Sequence, residues 1–300
     1  MIATRRSRLA LWQAEHVKQR LEAQHPGVAV ELLPMSTRGD ELIDQRLDQA
    51  GGKGLFVKEL ENALADGRAD LAVHSMKDVP ADLPPGFVLG AILQREDPRD
   101  AFVSSKYLNL KSMPARSIVG TSSLRRAAQV AERYPQLEMR FLRGNVETRI
   151  AKLDRGEYDG IILAVAGLLR LGLASRIRSR LEVEDSLPAP GQGALGVECL
   201  SKRDEVLALL APLNDAMAAR CVQAERAVSR ALGGSCAVPL GAYAESSQKG
   251  LRLRALVASL DGRRIARADC EGTDPLRLGE EAVAELRRQG AAEILSALGK

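Results

Sequence analysis

Twice along this chain, short apolar runs alternate with segments whose apolar residues recur at helical spacing, and that alternation constrains the fold more than any other feature. In the first round, Leu9 to Gln24 places Ala10, Ala14, Val17 and Leu21 on one helical face and stops at His25-Pro26-Gly27. Val28 to Leu33 then reads as a strand, Leu55 to Ala65 as a helix, and Asp70 to Val73 as a short buried strand. The second round starts near Ala101: strand Ser117 to Val119, helix Leu124 to Arg133, strand Glu138 to Leu142, helix Val146 to Asp154, strand Gly160 to Leu163. Strands separated by helices predict parallel-rich sheets, so two α/β units of similar design are expected.

Two punctuated stretches separate the rounds. Arg95-Glu96-Asp97-Pro98-Arg99-Asp100 is a charged, proline-containing crossing, and Leu187-Pro188-Ala189-Pro190-Gly191-Gln192-Gly193 is a second, after which the apolar run Ala194 to Cys199 returns to the first unit. Two crossings allow a hinge. From Asp215 the pattern changes to a long helix ending near Leu232, then two strands, Leu251 to Ala258 and Arg264 to Cys270, around the hairpin signal Asp261-Gly262, and a helix from Glu280 onward. The expected division is 1–95 with 194–212 as a first, discontinuous α/β domain, 99–188 as a second α/β domain, and 215–300 as a small α+β domain.

Composition narrows the function. At 300 residues and 45% hydrophobic content there is apolar material for each core, but aromatic residues are only 3%, which argues against stacking on single-stranded nucleic acid. The net charge of +4 is spread along the chain. No run of 18 apolar residues and no secretory signal is present, so a cytoplasmic protein without a membrane partner is expected. Cys199, Cys221, Cys236 and Cys270 have neither metal-ligand nor disulfide-framework spacing, and with only His16, His25 and His74 no metal site is expected.

In parallel α/β sheets ligands sit beyond the carboxyl ends of strands, where helix N-termini point at anions. Arg5 and Ser7 fall at such a position, as do Lys77 and Asp78, and Thr121, Ser122, Ser123, Arg125 and Arg126. Arg143-Gly144-Asn145, Arg149 and Arg170 follow the later strands. Guanidiniums focused on one cleft suit a ligand with many carboxylates or phosphates. Arg125 and Arg126 at a helix start oppose the helix dipole by a few tenths to about 1 kcal/mol unless an anion compensates. Asp78 beside Lys77 is a carboxylate held among cations, able to stabilise developing positive charge. Gly51-Gly52-Lys53-Gly54 lies in a polar stretch that reads as a loop.

Three stretches, His74-Ser75-Met76-Lys77-Asp78-Val79-Pro80, Gly120-Thr121-Ser122-Ser123-Leu124-Arg125-Arg126 and Gly233-Gly234-Ser235-Cys236, together resemble the porphobilinogen deaminase (hydroxymethylbilane synthase) family, and the likeness runs end to end. It implies a transferase that joins four porphobilinogen molecules with loss of ammonia into a linear tetrapyrrole, with two domains like those of periplasmic binding proteins and an active site between them. A monomer without nucleic-acid partners is expected. The resemblance further implies a dipyrromethane primer on Cys236 through a thioether, Asp78 as the carboxylate that meets pyrrole N–H groups and moves protons, and a loop carrying Lys53 over the cleft. It assigns Arg5, Ser7, Lys53, Lys77, Thr121, Ser122, Ser123, Arg125, Arg126, Arg143, Gly144, Asn145, Arg149, Arg170 and Gln192 to binding primer and substrate. The chain departs from the family in starting directly at Met1-Ile2, which predicts a short first strand, and in Arg8, where proline is frequent. A solute receptor of the same architecture is the competing reading.

Overall fold

The computed structural model describes residues 1–41, 54, 56–234 and 238–299. The first part of the chain forms β1 (Ile2–Arg5), α1 (Arg8–Gln24), β2 (Leu32–Met35), α2 (Arg38–Glu41), α3 (Lys58–Ala65), β3 (Leu71–Ser75) and β4 (Phe87–Ile92). The middle forms β5 (Asp100–Val103), β6 (Ile118–Gly120), α4 (Leu124–Arg133), β7 (Glu138–Arg140), α5 (Val146–Asp154), β8 (Gly160–Ala164), α6 (Val165–Arg170) and β9 (Ser179–Leu181). The remainder is β10 (Leu195–Leu200), α7 (Asp204–Leu210), α8 (Ala216–Ala231), β11 (Leu240–Ser247), β12 (Gly250–Ala258), β13 (Ile265–Gly272), α9 (Pro275–Arg288) and α10 (Ala291–Ser296).

The strands form two five-stranded sheets of the same design. Their orders are β2-β1-β3-β10-β4 and β7-β6-β8-β5-β9. In each, the strand second in order pairs in parallel with both neighbours, and the fourth strand runs antiparallel to both of its own. The fourth strand is in both cases one that has just crossed between the sheets: β5 follows residues 93–99, and β10 follows residues 182–194. Helix α1 buries Ala10, Ala14, Val17 and Leu21, the face its spacing predicts, and packs Ala14, Val17 and Leu21 into an aliphatic core shared with Val73, Leu195 and Val197.

The crossings are tied together. Arg95 on the first donates to Glu225 of α8 at 2.5 and 3.1 Å and to the Gln192 carbonyl on the second at 2.8 Å, while Glu225 also accepts from Gly191 and Ala244 amides at 2.6 and 2.8 Å. The C-terminal unit packs α8, α9 and α10 on the antiparallel sheet β11-β12-β13 around an alanine- and leucine-rich core. Its hairpin turn rests on α4. Gly262 adopts φ 69°, and a Cβ there would stand 2.4 Å from the Ala128 carbonyl oxygen.

Several elements differ from the sequence expectation. The strand expected at Val28 to Leu33 is instead β2, which runs on through Pro34; a proline without an N–H is admissible because β2 is an edge strand. The last long helix starts at Pro275, capped by Asp274, rather than at Glu280. Helix α3 starts at Lys58, and Phe56 and Val57 are in a turn. The short first strand has four residues, with Ile2 and Ala3 fully buried between β2 and β3. Among the described residues no helix is long and apolar enough to cross a membrane, and no His, Cys, Asp and Glu group could hold a metal ion.

Candidate active site

Asp78 ends a tight turn, Met76 to Asp78, that β3 delivers at its carboxyl end. It lines a small pocket with Arg5, Ser7, Gln13, Phe56, His74 and Ser75. Arg5 leaves β1 and is held by Asp40, to which its Nε donates at 3.2 Å, and lies 4.2 Å over the Phe56 ring. Ser7 caps α1, its hydroxyl accepting from the Ala10 amide at 3.3 Å.

The second sheet meets this turn with cations. Lys77 is exposed at its own surface yet ringed by protein, and that lost solvation is the main cause lowering its pKa; Asp78 opposes the shift and Arg126 adds to it. Arg149 is pushed down to about 10 by burial, then by Arg126 and Arg143, and Asp78 draws it back. It stays charged at neutral pH. These mutual effects bring Lys77, Asp78, Arg126, Arg143 and Arg149 into one electrostatic cluster. Arg143 is buried, and Gly144 beside it takes φ 118°, where a Cβ would approach the Thr148 Cβ to 2.7 Å. Asn145 caps α5 by accepting from the Thr148 amide at 2.8 Å, and Arg149 Nε donates to the Gly144 carbonyl at 2.8 Å.

At the start of α4, Ser123 accepts from the Arg126 amide at 3.4 Å, Thr121 is buried and accepts from the Ser123 amide at 3.2 Å, and Ser122 is half-buried between them. The anion that the adjacent Arg125 and Arg126 require is present inside the protein. Asp100, fully buried, accepts from Arg125 at 2.7 and 3.2 Å, from Arg126 Nε at 2.9 Å, from the Ser186 hydroxyl at 2.8 Å and from Gln192 at 2.9 Å. Burial alone would raise the Asp100 pKa, but the two guanidiniums hold it well below the usual carboxylate range. Arg125 also donates to the Leu187 carbonyl at 2.6 Å, and Arg126 to the Ile162 carbonyl at 3.1 Å and Gln192 at 3.3 Å. The dipole conflict expected at this helix start unless an anion compensates is thus answered in part by a carboxylate of the protein itself. An aspartate opening the otherwise apolar run Asp100-Ala101-Phe102-Val103 was the available signal.

Arg170 stands apart from the cluster, donating to the Gly193 carbonyl at 2.7 Å and lying 5.8 Å over Trp12. Arg8 at the start of α1 reaches Glu147 on α5 at 3.5 Å, a direct link between the elements of the two five-stranded sheets. Lys53 and Cys236 lie outside the described residues. A dipyrromethane built from two porphobilinogens carries four carboxylates. The donor chemistry fits it, because Lys77, Arg126, Arg143 and Arg149 outnumber Asp78 and Asp100 in the cluster.

Comparison with known proteins agrees with this chemistry. Residues 1–208 match the family description "Porphobilinogen deaminase, dipyromethane cofactor binding domain", and residues 219–288 match "Porphobilinogen deaminase, C-terminal domain". A porphobilinogen deaminase of Burkholderia thailandensis is 59% identical over 99% of this chain and 92% of that relative. One from Bordetella parapertussis is 60% identical over 99% and 95%. Among solved structures, the methionine-binding protein MetQ aligns at 12% identity over 75% of this chain and 90% of that one, with a TM-score of 0.46. With matched segments covering both sheets and the C-terminal unit, and close relatives spanning nearly the full length, the chain belongs to the porphobilinogen deaminase family.

Proposed function

We propose that Asp78 is the catalytic carboxylate of this transferase, that the cation cluster grips carboxylates, and that Cys236 is the attachment point of the primer. The overall reaction is that of the family: four porphobilinogen molecules are joined head to tail, with release of ammonia, into hydroxymethylbilane. When bound, the dipyrromethane supplies the free pyrrole α-carbon at which joining begins. In this reading 1–95 with 194–212 presents Asp78, 99–188 presents most of the cations, and 215–300 carries Cys236.

The observation carrying the proposal is that Asp78 is the carboxylate of a turn that faces the cluster and also lines the pocket with Arg5 and Ser7. Its Oδ atoms are suited to accept hydrogen bonds from the substrate's pyrrole N–H. As ammonia leaves, positive charge develops on that ring, and the fixed carboxylate stabilises it. After the new bond forms, the same carboxylate accepts the proton displaced from the α-carbon, a role typically worth about 10²- to 10⁴-fold. Lys77, Arg126, Arg143 and Arg149 hold acetate and propionate groups in bidentate or point-charge contacts, which fixes the reacting atoms beside Asp78. Lys53 is assigned to the same task. Arg125, Arg126 and Arg143 are assigned to the primer, and Arg149, Arg170, Arg5 and Ser7 to incoming substrate. All these groups come from one chain, so a monomer suffices.

Asp78→Asn in primer-loaded protein tests the central claim. The amide keeps the shape and loses the charge, so kcat is expected to fall by about 10²-fold or more with little change in KM, and Asp78→Glu to retain more activity than Asn. Turnover of Asp78→Asn within a few-fold of the parent would reduce Asp78 to a structural partner of Lys77.

A further inference from the structure

We propose that Arg226 is a positioning residue that acts through Asp78. Helix α8 presents Ala218, Val222, Arg226 and Arg230 at intervals of four, one stripe of its surface. Ala218 and Val222 pack in one core cluster with Met76 and Val79, the residues on either side of Lys77 and Asp78. Further along the stripe, Arg226 donates to three consecutive carbonyls, Val79 at 3.3 Å, Pro80 at 2.8 Å and Ala81 at 2.9 Å. Arg230 adds bonds to the Ala81 carbonyl at 3.0 Å and to Asp82 at 2.6 Å.

On the entry side the turn is equally confined. A Cβ at Gly191 would stand 2.7 Å from the Met76 Cβ, and one at Gly196 would stand 2.2 Å from its sulfur. Asp78 therefore sits in a segment gripped before it by the second crossing and β10, and after it by α8. The grip suits arginine in particular. Its planar fork offers several donors in fixed directions to carbonyls that converge on it, whereas a lysine offers one compact ammonium. Burial and the neighbouring Arg230 push the Arg226 pKa down to about 10, which leaves the fork charged at neutral pH.

This inference rests on the reading of Asp78 as the catalytic carboxylate, so the test is a double-mutant cycle between the two residues in primer-loaded protein. Arg226→Leu is expected to lower kcat by about 10- to 100-fold, the cost of a displacement near 1 Å, with KM within about threefold. The thermal midpoint should fall by no more than a few degrees, as expected for lost hydrogen bonds, and the loaded fraction measured by intact mass should stay at the parent's value. Arg226→Lys should fall between. In an Asp78→Asn background, Arg226→Leu should cost almost nothing further. Full multiplication of the two losses, kcat within twofold of the parent, or a midpoint and loaded fraction that fall in step with kcat would overturn the assignment. Full activity in Asp78→Asn alone would remove the catalytic reading and this one with it, whereas a large loss there with multiplicative costs removes only the role of Arg226. Should Arg226→Leu fail to fold, Arg230→Ala loosens the same segment at its exposed end; a kcat loss that vanishes in the Asp78→Asn background supports the assignment, and an unchanged kcat overturns it.

Discussion

Replacing Asp100 by asparagine probes the node beneath the cation cluster. The carboxylate is fully buried and accepts from two guanidiniums, a hydroxyl and a side-chain amide. Asparagine matches its shape but offers one acceptor oxygen, and its own NH₂ then faces donors. Removing one partner of a buried ion pair costs about 3–5 kcal/mol, because the remaining charge stays buried. For chains of about 150–250 residues 1 kcal/mol corresponds to about 2–4 °C, and somewhat less for a longer one, so the midpoint should fall by roughly 5 °C or more. The pH dependence carries a sign. Asp100 has its folded pKa depressed below the unfolded value of about 3.9, so its stabilisation is fully present above that value and is lost as pH falls through the folded pKa. Thermal unfolding followed by circular dichroism from pH 3 to 8 should therefore show a gap between parent and Asp100→Asn that is flat at neutral pH and shrinks below about pH 4. A neutral-pH midpoint within about 2 °C of the parent, or a gap that widens on acidification, would refute the reasoning.

Cys236→Ser should leave the chain without its primer by intact-mass analysis. An adduct on Cys199, Cys221 or Cys270 would contradict that assignment, and burial disfavours those thiols, pushing Cys221 up to about 11 and raising the other two. Arg126→Leu should yield mainly unloaded protein, because it removes the proposed primer contact and a partner of Asp100 together, whereas Arg149→Leu should load normally and raise KM; normal loading and activity in Arg126→Leu would break that division.

Elements with strong helical periodicity are legible in the sequence. Helices α4 and α5 begin and end at the expected residues, and in the structure Ser123 and Asn145 cap their starts. The return of β10 to the first sheet followed from the proline- and glycine-rich crossing before it. Strands β4, β5, β9 and β11 are not foreseen. Of these, β5 is four residues long and opens with a buried charge, β9 has three residues, and β11 begins just after a proline and ends in polar residues. At the site, residue types after strand ends pointed to the cluster around Asp78. The partners that hold it did not show, because Asp100, Glu225 and Arg226 act across separations of 25 to 147 residues that no local pattern encodes. Residues singled out as ligand contacts also proved to have local duties, Ser7, Ser123 and Asn145 each capping a helix.

The position of β10 between β3 and β4 has a consequence for how the molecule is made. On a ribosome adding roughly 5–20 residues per second, the hundred or so residues between Ile92 and Leu195 take on the order of 5–20 s. For an interval of that length β3 and β4 are outside the exit tunnel while the strand that joins them has yet to emerge, so β3 presents an open edge and β4 has no partner in its sheet. All five strands of the second sheet emerge before β10 does. The part of the protein born first is thus completed after the part born later, and the nascent chain carries unpaired edges at the stage when it is most exposed to chaperones and to other nascent chains.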